Sequence, residues 1–293
     1  MVTGGNAGIG YFTAEQLAST GARVVIASRS AEKTERAMAS IRERVPGAAL
    51  QHVRLDLASL ASVAEAAAQL RDLGPLDGLV NNAGLTSPGT RRATTADGLE
   101  LVVGSNFLGH FALTAQVWPA MSETGRVVGL GSMATRMVRL DPSDLLSERR
   151  YSPFRAYGFS KHAVHGFAFE LDRRIRAAAI DKPAEQRLSL LAHPGFSVDG
   201  LSDRRPGIND LPLATRVRDG ILAIAGQGKH QGAWPAVRAA LDPDAVSGQF
   251  FGPSRTLTGP PIVMAPFVSS ATPEFGAHLW ALAEEKTGLT FTP

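Results

Sequence analysis

Tyr157 and Lys161 stand four positions apart, in a run whose Val164, Phe167, Leu171 and Ile175 recur at helical period. The phenol and the ammonium therefore share one face of a predicted helix. A free phenol titrates near 10, and a cation held within about 4 to 6 Å lowers that by about 1 to 3 units. Such a pair can exchange a proton with a substrate oxygen as general acid and base. Tyr and Lys also meet at this spacing by chance, so the pair depends on its company. Ser132 follows the apolar run Arg126 to Leu130 and offers a hydroxyl that can hydrogen-bond the same oxygen. Near the amino terminus, Thr3-Gly4-Gly5-Asn6-Ala7-Gly8-Ile9-Gly10 leads into an amphipathic segment from Tyr11 to Thr20. Gly4, Asn6, Gly8 and Ile9 are candidates to cradle a pyrophosphate, because glycines admit close backbone approach and a helix amino terminus presents N–H groups and positive dipole.

Cysteine is absent, which excludes disulfides, thiolate metal sites and Cys nucleophiles. Redox chemistry, if the chain performs any, must then be carried by a cofactor. About 20 residues past such a glycine turn, dinucleotide-binding folds carry the residue that reads the adenosine ribose. That window holds Ser28-Arg29, and an arginine favours a 2′-phosphate where an acidic residue would favour a free hydroxyl. The cofactor read here is NADP, with NADPH preferred and NAD still admissible. Asp56 ends the next β-rich run and could either contact adenine or cap the following helix. Asn81-Asn82-Ala83-Gly84 ends the run after that, and Asn82, Ala83 and Gly84 offer polar groups and close backbone approach to a cofactor ribose.

These residues must be brought to one edge. Short β-rich runs at Arg23 to Ala27, Leu50 to Leu55, Gly78 to Asn81, Arg126 to Leu130 and Leu188 to Ala192 alternate with Ala-rich segments at helical period. Such alternation predicts an α/β fold: a doubly wound parallel sheet, Rossmann-like, three layers α/β/α, in a single domain over residues 1–293. Each run ends in Gly, Asn, Asp, Ser or His, and ligands bind along the carboxyl edge of such a sheet. Only Met1 and Val2 precede the glycine turn, so either the true start lies upstream or the central strand is unusually short. The Pro/Gly-rich last third reads as loops and short helices, with roughly 196–240 covering the substrate. No apolar run approaches the length of a membrane span and no secretory signal opens the chain, so a cytoplasmic location is expected. With 30 Lys+Arg against 27 Asp+Glu and scattered arginine pairs, nothing points to nucleic acid. His165 and His193 lack partners at metal spacing and read as satisfied, partly buried imidazoles. No metal is expected. Phe154, Phe196 and Trp234 read either as core or as substrate contacts.

Taken together, the sequence resembles the short-chain dehydrogenase/reductase family, and within it the retinol dehydrogenase and protochlorophyllide reductase branch. The resemblance rests on Thr3-Gly4 through Gly10, Asn81 through Gly84, Ser105-Asn106-Phe107-Leu108-Gly109-His110-Phe111, Ser132, Tyr157 with Lys161, and His193-Pro194-Gly195. The branch is suggested by Ala27 to Ser30 and by Tyr151-Ser152-Pro153-Phe154. The resemblance implies a tetrad in which Ser132 polarises a carbonyl, Tyr157 exchanges the proton, Lys161 holds the ribose and lowers the phenol's pKa, and Asn106 anchors a water relaying protons. It also implies that Pro194 and Gly195 lie at the nicotinamide. Two departures stand out. The family usually has a threonine where this chain has Asp199, and an aspartate's charge is costly beside a dry ring. Gly131 precedes Ser132 where the branch often has a small hydroxyl residue.

The leading expectation is an NADP(H)-dependent oxidoreductase transferring a hydride between the nicotinamide and a lipophilic ketone or aldehyde, or the corresponding alcohol. Reduction of a conjugated C=C bond and a non-catalytic NADP(H) sensor are the alternatives. Family members assemble through the helices bearing Tyr157 and Asn106. The stretch from Ser132 to Tyr157 carries Asp141-Pro142 and Ser152-Pro153 and would add a loop there, so of monomer and homo-oligomer the monomer is favoured.

Overall fold

The computed structural model describes residues 1–86, 89–180 and 186–293. Strand and helix alternate through β1 (Val2–Thr3), α1 (Gly8–Ser19), β2 (Val24–Ser28), α2 (Ala31–Arg44), β3 (Leu50–Arg54), α3 (Leu60–Asp72) and β4 (Leu76–Asn81). The next crossover runs through α4 (Leu101–Val103), a π-turn at Gly104–Leu108 and α5 (Gly109–Val117) to β5 (Met121–Leu130). Then come α6 (Ala134–Met137), α7 (Pro153–Ala178) and β6 (Leu188–Ala192). An excursion follows, with β7 (Ser197–Val198), α8 (Leu213–Ile221), β8 (Gln227–Gly228), α9 (Lys229–Gly232) and α10 (Trp234–Leu241). The chain closes with β9 (Phe250–Pro253), β10 (Pro261–Met264) and α11 (Pro273–Thr287).

Eight strands form one sheet in the order β3-β2-β1-β4-β5-β6-β9-β10, parallel except for the β9–β10 pair. Side chains alternate across a strand, and here both faces are apolar. Val24 and Ile26 of β2 join the core under α1, α2 and α10, while Val25 and Ala27 join the core under α3, α5, α7 and α11. A strand covered on both sides reads as an unbroken apolar run, which is why these strands stood out in the sequence. The chain winds outward from β1 to β3, then returns to place β4 on the other side of β1. That reversal opens a crevice at the carboxyl ends of β1 and β4, where Thr3 and Asn81 lie. β1 consists of Val2–Thr3 alone, with Val2 in register with Ile26 and Val80.

The last third is more regular than expected. β9 extends the sheet beside β6, because Phe250 and Phe251 bury fully on opposite faces. α11 is a 15-residue helix against α7. Its signals are local: Thr272 caps the Phe275 N–H, Pro273 opens the first turn, and Gly288 ends it at φ +68°. No helix among the described residues is long and apolar enough to cross a membrane.

Candidate active site

Ser152 caps α7 by accepting from the Arg155 N–H, and Pro153 has its φ preset for the first helical position. Tyr157 and Lys161 thus fall in the first turns, at the carboxyl edge of β5. Lys161 is buried, and its Nζ donates to the Leu130 carbonyl at 2.7 Å and lies 5.8 Å from the centre of the Tyr157 ring. Two residues past Leu130, Ser132 stands close enough to the phenol for its hydroxyl to lower the phenol's pKa. Burial pushes the Tyr157 pKa above its ordinary value, and Ser132 offsets only part of the rise. The sequence expectation was a phenol lowered by its lysine. Here the ammonium is drawn to a carbonyl instead, and burial lowers its own pKa to about 8.

Asn106 lies in the π-turn between α4 and α5. Its Nδ2 donates to Leu85 O and to Ser160 Oγ at 2.9 Å, its Oδ1 accepts from the Leu85 N–H at 2.7 Å, and Ser160 Oγ donates to the Tyr157 carbonyl. The amide thereby joins the loop after β4 to the turn of α7 that carries the phenol. The Asn106 carbonyl accepts from His110 Nδ1 at 2.9 Å. Burial lowers the His110 pKa to about 4, so the ring is neutral and its Nε2 accepts the Thr3 hydroxyl proton at 2.9 Å. Thr3 Oγ1 in turn accepts from the backbone N–H groups of Asn82 and Ala83. Sequence reading quoted Thr3 and His110 inside motifs but gave neither them nor Ser160 a role; the i, i+4 spacing of Asn106 and His110 was the available signal. A cavity of about 10 Å³, near one water in size, is lined by Asn81, Asn106, His110 and Ser189 behind this line.

Gly4 and Gly8 adopt φ of +65° and +57°, which favour glycine. A Cβ on Gly10 would collide with the Gly4 carbonyl and Asn82 Nδ2, so α1 packs directly on its own turn. No side chain caps its first N–H groups: Ala7 occupies that place. The cradle around Asn6, Gly8 and Ile9 therefore suits a phosphate. Of the ribose candidates, Arg29 is exposed and its side chain has no partner among the described residues. Ser28 is buried and its hydroxyl pairs with Thr34 Oγ1 at 2.6 Å, which directs it inward. Asp56 does not cap α3, whose cap is Ser59; its Oδ1 closes a local turn on the Ala58 N–H. The Asn81 and Asn82 amide nitrogens are engaged inside the chain, with Thr114 Oγ1 and Thr3 O respectively. A Cβ on Gly84 would meet Asn106 Oδ1 at 3.2 Å. At the other end, the Pro194 carbonyl accepts from Ser197 Oγ and Gln227 Nε2, and Gly195 adopts φ +67°.

His165 and His193 are fully buried, and each leaves one ring nitrogen without a partner among the described residues. Sequence reading expected satisfied rings. His165 has a positional role as well: its Nε2 accepts the Ser132 N–H at 3.2 Å, and a Cβ on Gly131 would strike the His165 ring. The Gly131 departure and this histidine are matched. Gly131→Ser should destabilise the protein by about 1 to 3 kcal/mol through overpacking, and should cost much less when introduced into a His165→Ala background in urea unfolding. If the cost is the same in both backgrounds, the two are not a steric pair. Phe154, Phe196 and Trp234 are 52%, 41% and 37% exposed, which removes the core alternative. Asp199 is ion-paired with Lys229.

A sequence profile of short chain dehydrogenases matches residues 1–181. The chain is 35% identical to polyprenol dehydrogenase of Mus musculus, over 98% of this chain and 83% of that protein. It is 32% identical to retinol dehydrogenase 13 of Homo sapiens, over 99% and 84%. Among solved structures, a putative uncharacterized protein from Mycobacterium Paratuberculosis superposes with a TM-score of 0.78 at 34% identity, covering 99% of this chain and 93% of that one.

Proposed function

The chain belongs to the short-chain dehydrogenase family, and from that premise we propose that it is an NADP(H)-dependent ketoreductase or alcohol dehydrogenase acting on a lipophilic carbonyl/alcohol pair. The observation that carries this reading is the gathering of Ser132 and the buried Lys161 ammonium at the Tyr157 phenol. The nicotinamide, when bound, supplies or takes the hydride. In reduction, the Ser132 hydroxyl hydrogen-bonds the carbonyl oxygen and Tyr157 Oη passes its proton to that oxygen. Lys161 provides the positive charge that steadies the phenolate left behind. In oxidation the proton returns by the same path. Gly4, Asn6, Gly8 and Ile9 hold the pyrophosphate, Arg29 the 2′-phosphate, Lys161 the ribose, and Pro194 and Gly195 border the nicotinamide. Asn106 serves as the joint that fixes the loop after β4 against α7.

A lipophilic substrate is supported by the exposed rings of Phe154, Phe196 and Trp234 and by the names of the polyprenol and retinol dehydrogenases. Segment 196–240 is assigned to cover it. The test is NADPH oxidation against a panel of aromatic, terpenoid and polyketide ketones, with reverse assays on their alcohols. At least one pair should turn over in both directions. Tight NADPH binding with no turnover on any member would favour a cofactor sensor instead.

A further inference from the structure

Lys229 opens α9 immediately after β8, and its Nζ lies 3.5 Å from the place a Cβ on Gly8 would occupy. An ammonium therefore stands over the glycine turn, beside the uncapped first turn of α1. A helix amino terminus carries partial positive charge, so two like-signed features meet there and the arrangement asks for an anion. Within the chain that anion is the Asp199 carboxylate, ion-paired with Lys229 and standing where the family usually has a threonine. The pair is built in: β7, just before Asp199, runs parallel to β8, just before Lys229. Neither side chain is deeply buried, at 23% exposure for Lys229 and 39% for Asp199. The contact is then weak enough to be exchanged.

We propose that Lys229 is a phosphate-binding residue of the dinucleotide site, exchanging the Asp199 carboxylate for the cofactor's pyrophosphate. This rests on reading Gly4 to Gly10 as the pyrophosphate turn. It also explains how an aspartate is tolerated at this edge: its charge is neutralised by a lysine of the same segment. The 2′-phosphate is the other phosphate of the cofactor, but Gly8 belongs to the turn rather than to the end of β2, where Arg29 lies.

The experiment is titration of the full chain with NADPH and with NADH, followed by nucleotide fluorescence and without substrate. Lys229→Gln should weaken both cofactors alike, by roughly 10-fold or more, as expected for loss of a charged hydrogen bond. Lys229→Arg keeps the charge and should bind within a few-fold of the parent, and Asp199→Asn removes the competitor and should tighten both by a few-fold. Unchanged binding by Lys229→Gln overturns the proposal, as does equal weakening in Lys229→Arg. Weakening of NADPH alone assigns Lys229 to the 2′-phosphate and also overturns it. A parent chain that binds neither nucleotide removes the pyrophosphate reading itself, and the proposal with it.

Discussion

Tyr157→Phe is expected to lower kcat by about 10²- to 10⁴-fold, the range contributed by a positioned general acid, while cofactor affinity stays within a few-fold. The substitution removes one oxygen and keeps the ring beside Lys161. Lys161→Met should behave differently and lose both turnover and cofactor affinity, since that ammonium is assigned to the ribose as well as to the phenolate. The pH profile carries the same assignment. Burial holds the phenol protonated well past neutrality, and Lys161 titrates at about 8. Reduction needs the protonated phenol and the charged lysine, and both are present below about pH 8. The reductive rate should therefore be level from pH 6 to about 7 and fall through pH 8 as the ammonium is lost. His110 and His193 have pKa values of about 4, and His165 lies well below the usual imidazole value, so these rings add no inflection between pH 6 and 8. Near-native kcat in Tyr157→Phe, or a reductive rate that climbs above pH 8, would remove Tyr157 from the proton transfer.

Arg29→Ala should cut the ratio of kcat/KM for NADPH over NADH by about 10- to 150-fold. That corresponds to a charged contact of about 1.5 to 3 kcal/mol. Arg29 follows β2 at the carboxyl edge of the sheet, and its guanidinium is not drawn off by any carboxylate among the described residues. Its neighbour Ser28 is directed inward to Thr34, which leaves Arg29 as the residue of that pair able to meet the ribose. The nearest acid along the chain, Glu32, is paired with Arg36 one turn further along α2. Nothing in Ala27 to Ser30 would repel a 2′-phosphate. Initial-rate measurements with both cofactors decide the matter: NADH equal to or better than NADPH in the parent, or an unchanged ratio in the variant, defeats the assignment.

Local pattern made much of this legible. The five predicted runs correspond to β2 through β6 because four are apolar stretches and β3 alternates apolar and polar residues, each ending at a turn residue, and α7 followed from its buried stripe of Val164, Phe167, Leu171 and Ile175. What escaped was set by pairs distant in the chain. Ser132 meets His165 across 33 positions, and Asp199 meets Lys229 across 30. Thr3 meets His110 across 107. No window of sequence contains either end of such a pair together with a reason for the other. Of the two readings open for Asp56, the cap alternative failed for a closer reason: Ser59, three residues on, stands at the true helix start. β9 escaped because its two phenylalanines are enclosed by Gly and Pro, which mask a short strand.

The hydrogen bonds from Asn82 through Thr3, His110, Asn106 and Ser160 to the Tyr157 carbonyl run without a gap from the glycine turn to α7. A change to any of these side chains would leave a buried donor or acceptor stranded. None of these bonds involves a residue of 196–232. Divergence is therefore divided between two regions of one molecule. Outside Asp199, Gln227 and Lys229, the excursion can change without touching any of these bonds, while a substitution along the chain of bonds must be answered by another within it.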